Sequence, residues 1–377
     1  MPLKQHLLNI AASFADLGII LPLVLGMAVA TGMNTGFILI GLGIFALVSG
    51  LVYRRPISAQ PMKVVAALAI VGQLDQQAVI ATGLLLGLAV LLLGITGWAG
   101  QLKKLVSLTI LLGIQTALAI SLLLTALPLI EDSLLSALIL LGIFIVLKKS
   151  PFHPIAFISV LAVSLYIYWQ SPQAASAPSV EWVMPVFYMP GAEAFLSALQ
   201  QAFLPQLALT LTNALFLTAA LAHDYYPDDK KNITENKLAL STGGLNLLLA
   251  PFGAVPMCHG AGGLVAYHTA GGRNGLPVIV LGIVLMGVGL LTGPAASWYL
   301  TMLPEASLGI LLLITATYMV EPKKLLKESP LSRFNILLIV GLTILHSILA
   351  GLAAGLLFEY LSRLIGRYRQ NQLKKED

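Results

Sequence analysis

Apolar residues dominate this chain in long uncharged blocks, which short clusters of polar and charged residues separate. A transmembrane helix needs about 20 consecutive apolar residues, and many of the blocks approach that length. On this criterion we predict fourteen apolar segments, at about residues 10–31, 35–53, 56–72, 76–97, 104–125, 133–147, 154–170, 196–222, 238–255, 257–271, 275–293, 303–320, 334–349 and 351–366. The last two could instead form one long bent helix, because only Ala350 and Gly351 mark a break between them.

The composition agrees with an all-α integral membrane protein. Of 377 residues, 58% are hydrophobic and 10% are charged, and the mean hydropathy is +0.91, outside the range of soluble domains. The first segment lacks a cleavage site, so we expect it to be retained. The single cysteine, Cys258, excludes an internal disulfide. The net charge of +5 lies in short loops, so we expect membrane lipid as a partner and no nucleic acid.

The charged residues predict the orientation of the segments. If the N-terminus is cytoplasmic, the basic residues fall in alternate loops and in the C-terminal tail: Arg54, Arg55, Lys103, Lys104, Lys148, Lys149, Lys230, Lys231, Lys237, Arg273, Lys323, Lys324, Lys327, Arg333 and the tail from Arg363. The intervening loops carry acidic residues but neither Lys nor Arg. Cytoplasmic loops are enriched in Lys and Arg, so this pattern favours fourteen segments with both termini cytoplasmic, in the cytoplasmic (inner) membrane.

A repeated proline pattern divides the chain into two halves. P-I-S-A-Q-P-M begins at Pro56, and P-F-G-A-V-P-M begins at Pro251. Such self-similarity marks an internal repeat. Seven segments per half place the second half in the opposite orientation, so residues 1–195 and 196–377 form a 7+7 inverted repeat. We expect no soluble domain.

Each proline pattern predicts a broken membrane segment. Five extended residues from Pro56 to Pro61 span ~16 Å, about half of a hydrocarbon core ~30 Å thick. A short helix over 61–71 covers the other half, and Pro61 suits its first position. The second copy predicts an extended stretch and a half-helix over 256–270. Because the repeats are inverted, the two helix N-termini should face each other, and interrupted segments of this kind are typical of transporter substrate sites.

Facing helix N-termini predict an anion site. Each offers unpaired amide groups and about half a positive charge, and Lys63 in the first turn of the first half-helix adds one more. The sum of about +2 suits a dianion. Gln206, Thr210 and Asn213 add neutral donors on one face of segment 8, although helix packing is an equal alternative for them. The predicted substrate-binding residues are Gln60, Pro61, Met62, Lys63, Val64, Met257, Cys258, His259, Gly260, Gln206, Thr210 and Asn213.

Asp16 is a carboxylate within the first apolar segment, where a charge is costly and should have a role. We expect it to serve coupling or charge balance: it could carry a proton, pair with Lys63 or bind a cation, and a purely structural role is the alternative. His259, expected in the first turn of the second half-helix, would be a neutral donor. Cys258 and His259 are adjacent and diverge on a helix, so we predict neither a metal site nor a cofactor.

Several stretches resemble the bacterial and plant molybdate transporters of the sulfate-permease superfamily. They are A-D-L-G-I-I-L-P-L-V-L-G from Ala15, I-S-A-Q-P-M-K-V-V-A-A from Ile57, P-Q-L-A-L-T-L-T-N-A from Pro205 and P-M-C-H-G-A-G-G-L-V-A-Y from Pro256. The resemblance implies a uracil-permease-like fold, with a core domain of segments 1–4 and 8–11 and a gate domain of segments 5–7 and 12–14. It also implies an oxyanion held between segments 3 and 10, and no cytosolic STAS domain.

The function predicted first is therefore secondary active transport of a tetrahedral oxyanion, molybdate above tungstate or sulfate, by alternating access. A sulfate, bicarbonate or nucleobase carrier of the same fold and an anion channel are the alternatives. An enzyme is disfavoured, because the sequence shows no nucleophile–base pair and no metal-ligand cluster. A homodimer and a coupling proton or cation stay open as partners.

Overall fold

The structure is a computed structural model that describes residues 9–10, 12–104, 107–131, 134–148, 163, 186–301, 305–320 and 322–376. The predicted segment 154–170, except for Val163, and most of the stretch from Ser171 to Glu193 lie outside these residues.

The described residues of the first half form six α-helices, one short strand and a 3-10 helix over Ala99–Lys104. The α-helices and the strand are α1 (Leu17–Thr31), α2 (Thr35–Tyr53), β1 (Gln60–Pro61), α3 (Lys63–Ile70), α4 (Gln76–Thr96), α5 (Leu108–Glu131) and α6 (Leu134–Lys148). Side chains set several of the starts. Asn34 caps α2 by accepting from the amides of Gly36 and Phe37, and Asp75 caps α4 by accepting from the amide of Ala78.

The second half begins with a long composite helix, α7, over residues 192–225. It is α-helical at Ala192–Ala198, Leu204–Leu209 and Thr218–Tyr225 and π-helical at Leu199–Phe203 and Thr210–Leu217. Then follow α8 (Glu235–Leu249), β2 (Met257–Cys258), α9 (Ala261–Thr269), α10 (Leu276–Thr301), α11 (Glu305–Met319), α12 (Pro330–Leu345) and α13 (Ile348–Glu376), with one helical turn at Pro322–Leu325 before α12.

The length and apolar character of the helices fit a membrane protein. Within the described residues, five helical stretches are long and apolar enough to span a bilayer: Thr35–Tyr53, Gln76–Thr96, Leu108–Glu131, Ala192–Tyr225 and Ile348–Ile365. Shorter apolar helices cover Ile19–Thr31, Leu134–Val146, Leu276–Leu290 and Pro330–Leu345.

Two sequence expectations about helix bounds are wrong. Asp16 does not lie inside the first helix, because residues 13–16 form a turn and α1 begins at Leu17. The last two segments are separate helices, as in the predicted set of fourteen, but the break falls at His346 and Ser347 and not at Ala350 and Gly351. The Ser347 hydroxyl accepts from the amide of Ala350 at 3.2 Å, so a serine cap, and not Gly351, starts α13.

Two helix pairs join the halves through glycines. A side chain at Gly282 or Gly289 of α10, or at Gly275 just before this helix, would collide with the carbonyl oxygen of Gly43, Gly36 or Gly50 of α2, respectively. The pair α4 and α8 is built in the same way, since a side chain at Gly243 would meet the carbonyl of Gly87. Small residues let membrane helices approach closely, so these contacts hold α2 on α10 and α4 on α8.

Candidate functional site

Two short extended segments pair with each other in the buried interior. The second predicted extended stretch, 251–255, is wrong in its first part, because Ala250–Phe252 is a 3-10 turn and Gly253 is left-handed. β1 and β2 are antiparallel, with Gln60 opposite Cys258 and Pro61 opposite Met257. The amide of Met62 extends the ladder by donating to the carbonyl of Pro256 at 2.8 Å. Prolines favour this conformation, because they disfavour the helical region for the residue before them. We call the paired segments 58–62 and 256–260 the ribbon.

The ribbon places two short helices at its opposite ends. Because the strands are antiparallel, α3 leaves after its N-cap Met62 and α9 leaves after its N-cap Gly260. The expected helix start at Pro61 is therefore wrong, since Pro61 lies in β1 and α3 begins at Lys63. In the ribbon register Gly260 lies opposite Ser58, four residues from Met62, so the two N-caps are ~13 Å apart at ~3.3 Å per residue. Residues Val64–Ile70 of α3 are all buried.

The second short helix starts later than the sequence predicts. The expected start at Pro256 is wrong, since Met257 and Cys258 are extended and α9 begins at Ala261. Asn246 of α8 holds Met257 in the strand: its side chain accepts from the Met257 amide at 2.8 Å and donates to the Met257 carbonyl at 2.6 Å. His259 therefore does not lie in the first turn of α9, and Cys258 does not begin a helix as Lys63 does.

Ser58 closes the other end of the ribbon. Its hydroxyl donates to the carbonyl of Gly260 at 2.7 Å and accepts from the Gly260 amide at 2.9 Å. The sequence patterns single out neither Ser58 nor Asn246. A polar side chain inside apolar segment 9 is the signal that could have identified Asn246.

The N-terminus of α3 is covered by α7. The side-chain carbonyl of Gln206 accepts from the amide of Val64 at 2.9 Å, and its amide group donates to the Thr210 hydroxyl at 3.0 Å. Gln206 and Thr210 are fully buried, whereas Lys63 and Asn213 are half-buried. Thr210 and Asn213 lie in the second π-helical stretch of α7, a feature frequent at functional sites.

Asp16 lies against the N-terminus of α9. One carboxylate oxygen accepts from the Gln60 side-chain amide at 2.5 Å, and the other has no hydrogen-bond partner among the described residues. Asp16 is fully buried. A side chain at Gly263 would collide with the second oxygen, and a side chain at Gly260 would collide with Gln60. The two glycines thus make room for polar groups at a helix end that favours negative charge.

Both ring nitrogens of His259 are engaged by protein groups. Nδ1 lies 3.0 Å from the carbonyl oxygen of Ser58, and Nε2 lies 2.8 Å from the Ser241 hydroxyl of α8. The ring packs on Phe45, with ring centroids 5.1 Å apart. The structure therefore turns the His259 ring toward α2 and α8.

A polar cluster joins the loops next to the ribbon. Arg55, just before the first extended stretch, donates from Nε to Asp229 at 2.5 Å and from Nη1 to the carbonyl of Arg273 at 2.7 Å. Its guanidinium lies 4.7 Å from the centre of the Tyr226 ring. The hydrogen bond from Arg55 lowers the pKa of Asp229 from its ordinary value.

Metal-binding side chains are not clustered in the part of the chain that the structure describes. There, no group of three or more His, Cys, Asp or Glu residues could hold an ion. What the described residues bring together is one lysine, one carboxylate and several neutral polar side chains around two short helix ends.

Comparison with known proteins supports the resemblance seen in the sequence. A family model described as "Molybdate transporter of MFS superfamily" matches residues 9–122 and 198–319. Molybdate transporter 1 of Arabidopsis thaliana is 26% identical over 359 residues, covering 82% of this chain and 78% of that protein. Molybdate transporter 2 of the same plant is 27% identical over 369 residues, covering 83% of this chain and 77% of that protein.

Two solved structures show the fold. SLC26A9 matches with a TM-score of 0.73 at 15% identity, over 96% of this chain and 65% of that one. The transmembrane domain of the cyanobacterial bicarbonate transporter BicA matches with a TM-score of 0.66 at 17% identity, over 94% of this chain and 98% of that one. The chain therefore has the fold of these transporters, as the predicted likeness to sulfate permeases implies.

Proposed function

The chain belongs to the molybdate transporter family, and from this membership we propose that it carries a tetrahedral oxyanion, molybdate first, by secondary active transport. The family and the fold make it an integral membrane protein of an anion transporter type. Tungstate and sulfate share the charge and shape of molybdate and are the competing substrates.

We place the anion at the N-terminus of α3. The observation that carries this assignment is Lys63, half-buried at the first position of a helix whose remaining residues are buried. A helix N-terminus and an ammonium group both attract an anion. Thr210 and Gln206 supply neutral polar groups beside the same turn, and the backbone of the ribbon at Pro61, Met62, Met257 and Cys258 forms the adjoining surface.

Asp16 sets the charge of this site. The two helix ends contribute about half a positive charge each and Lys63 contributes one. With Asp16 ionised against α9 the sum is about +1, and with Asp16 neutral it is about +2. A bound dianion thus leaves the ionised site with about one negative charge in excess, which a proton can offset.

Helix packing supports alternating access between a core and a gate. The tight pairs α2–α10 and α4–α8, together with α1 on α3, form one group, and α5 packs with α11 and α12 in a second group that includes α6 and α13. α1 meets α11 and α3 meets α5 between the groups. Because α3 lies at this seam, movement of one group against the other would expose the anion site to alternate sides.

The pairing of helices also supports the inverted repeat. In the predicted numbering α2 is the second segment of the first half, and α10 is the fourth of the second half. In the pair α4 and α8, α4 is the fourth segment of the first half and α8 is the second of the second half. The helices α5 and α11 are the fifth segments of their halves. An exchange of the halves therefore maps the helix pairs onto one another.

Binding of molybdate, tungstate and sulfate to the purified protein tests the proposal. Hydrogen bonds to charged groups contribute ~1.5–3 kcal/mol, so Lys63→Ala should weaken molybdate binding roughly 10–100-fold. Lys237→Ala is the matched control, because Lys237 is exposed at the start of α8, and its affinity should be unchanged. An unchanged molybdate affinity in Lys63→Ala would contradict the placement of the anion site at α3. Tighter binding of sulfate than of molybdate would overturn the proposed order of substrates.

A further inference from the structure

A chain of hydrogen bonds leads from the ribbon to the start of α8. Nε2 of His259 lies 2.8 Å from the Ser241 hydroxyl, which lies 2.6 Å from the hydroxyl of Tyr53 at the end of α2. Tyr53 lies 2.9 Å from the carbonyl oxygen of Lys237, a residue that is itself exposed. We call His259, Ser241 and Tyr53 the relay.

Chemistry fixes the hydrogen on one ring nitrogen of His259. The Ser58 carbonyl opposite Nδ1 can only accept, so Nδ1 carries a hydrogen whether the ring is neutral or charged. Nε2 is therefore the atom whose protonation can change. In the neutral ring, Nε2 accepts from Ser241, and Ser241 in turn accepts from Tyr53.

The relay also has hydrogen-bond acceptors for the state in which Nε2 of His259 is protonated and the direction of the hydrogen bonds is reversed. When Nε2 is protonated it donates to the Ser241 oxygen, and the hydrogen of Ser241 can turn to the carbonyl of Leu238 at 3.1 Å. The hydrogen of Tyr53 can likewise turn to the carbonyl of Lys237. Each hydroxyl thus keeps a partner in both states, so neither direction leaves a buried hydroxyl unsatisfied.

Because His259 is buried, its protonated ring is stable only if nearby groups compensate the positive charge. His259 is fully buried and Tyr53 is 2% exposed, and a buried charge is costly without compensation. The titratable or charged groups on the elements around the ring are Tyr53 from α2, Glu235 and Lys237 from α8, and Cys258 from β2. Asp16 reaches the ribbon through Gln60. A dianion at α3 would supply the missing negative charge.

We propose that Nε2 of His259 takes up the proton that accompanies the anion, through Ser241 and Tyr53, so that transport is coupled to protons. This inference rests on the proposed function. One proton enters at the Tyr53 hydroxyl from water near Lys237, the Tyr53 proton passes to Ser241, and the Ser241 proton passes to Nε2. The balance is one proton gained by the ring and none lost by either hydroxyl.

Proteoliposomes with an enclosed pH indicator test the relay. The wild-type protein should take up protons with molybdate and respond to an imposed pH gradient. Tyr53→Phe and Ser241→Ala should bind molybdate with unchanged affinity but lose the part of uptake that the pH gradient drives. Ser241→Thr, which restores a hydroxyl, should keep that part.

Tyr226→Phe is the matched control, because Tyr226 is a buried tyrosine that donates to a carbonyl, that of Gly272, outside the relay. It should keep the response to the gradient. The relay is overturned if Tyr53→Phe keeps the uptake that the pH gradient drives. It is also overturned if Asp16→Asn is the only variant that loses this uptake. If the wild-type protein binds molybdate but moves no protons, this inference alone fails; if it binds no oxyanion, the proposed function fails first.

Discussion

At the residue scale, the site depends on the absence of two side chains. Gly260 and Gly263 leave the space that Gln60 and Asp16 occupy, so a buried carboxylate can rest on the first turn of α9. Gly262 lies between them on the same turn, but a side chain there would meet only Ile19, at 3.8 Å. Helix propensity cannot explain a glycine at position 263, because glycine is among the poorest helix formers.

Gly263→Ala and Gly262→Ala should therefore have opposite effects. At 263 the added methyl group collides with Asp16 and Ser58, and overpacking of this kind costs ~1–3 kcal/mol. At 262 the methyl group fits, and the gain in helix propensity is ~0.5–1 kcal/mol. Thermal unfolding in detergent should show a lower midpoint for Gly263→Ala and an equal or higher one for Gly262→Ala. Equal midpoints in both variants would contradict the packing of Asp16 on α9.

At the element scale, the proline repeat predicts an extended stretch before α3, but neither the pairing of the ribbon nor the exact helix starts. α3 begins at Lys63 and not at Pro61, and α9 begins at Ala261 and not at Pro256. Proline preferences are local, so they apply to Pro61 and Pro256 alike. The larger delay of α9 comes from Asn246, a residue ten positions before Pro256, which holds Met257 extended. The orientations of His259 and Gln60 likewise depend on α8 and α1, and no local pattern specifies them.

The glycines of α2 and α10 show a signal that was present in the sequence. Gly36, Gly43 and Gly50 recur every seven residues, and so do Gly275, Gly282 and Gly289. Two apolar segments that each carry glycines at seven-residue spacing are typical of helices that cross closely. Which helix meets which could not be read from the spacing alone, because several segments contain glycine.

The Arg55–Asp229 pair predicts a pH effect on the loops beside the ribbon. The pKa of Asp229 is lowered in the folded protein, so the pair stabilises the fold above the ordinary Asp pKa of ~3.9 and loses this effect as the pH falls through the lowered value. The side chains are 28% and 21% exposed, so we expect only ~0.2–1 kcal/mol at pH 7.

Unfolding of Asp229→Asn measured against pH checks this expectation. The variant should be less stable than the wild type at pH 7, and the difference should shrink as the pH falls below 4. Asp228→Asn is the control, since Asp228 is the exposed neighbour, and it should follow the wild type throughout. If the stability difference between the wild type and Asp229→Asn grew as the pH fell, this would contradict the expected effect of the Arg55–Asp229 pair.

At the scale of the whole molecule, the charge pattern predicts which side of the membrane each loop occupies. Lys231 lies in a predicted cytoplasmic loop, and Gln73 lies in a predicted external loop; both are exposed. The native cysteine, Cys258, is 6% exposed, so it should contribute little background to labelling of thiols.

A membrane-impermeant maleimide applied to intact cells should label Gln73→Cys and spare Lys231→Cys. In inside-out vesicles the pattern should reverse, and the wild-type protein should take up little label in either case. The same result for both variants in intact cells would contradict the predicted orientation.

The glycine crossing of α2 and α10 has a consequence for biogenesis. Gly275 is synthesised about 225 residues after Gly50, which at ~5–20 residues per second takes roughly 10–45 s. During this interval the newly inserted α2 has no protein surface to match its flat glycine face, so annular lipid or the insertion machinery must occupy it. Ribosome pausing late in the message would prolong that exposure and favour degradation of the nascent chain.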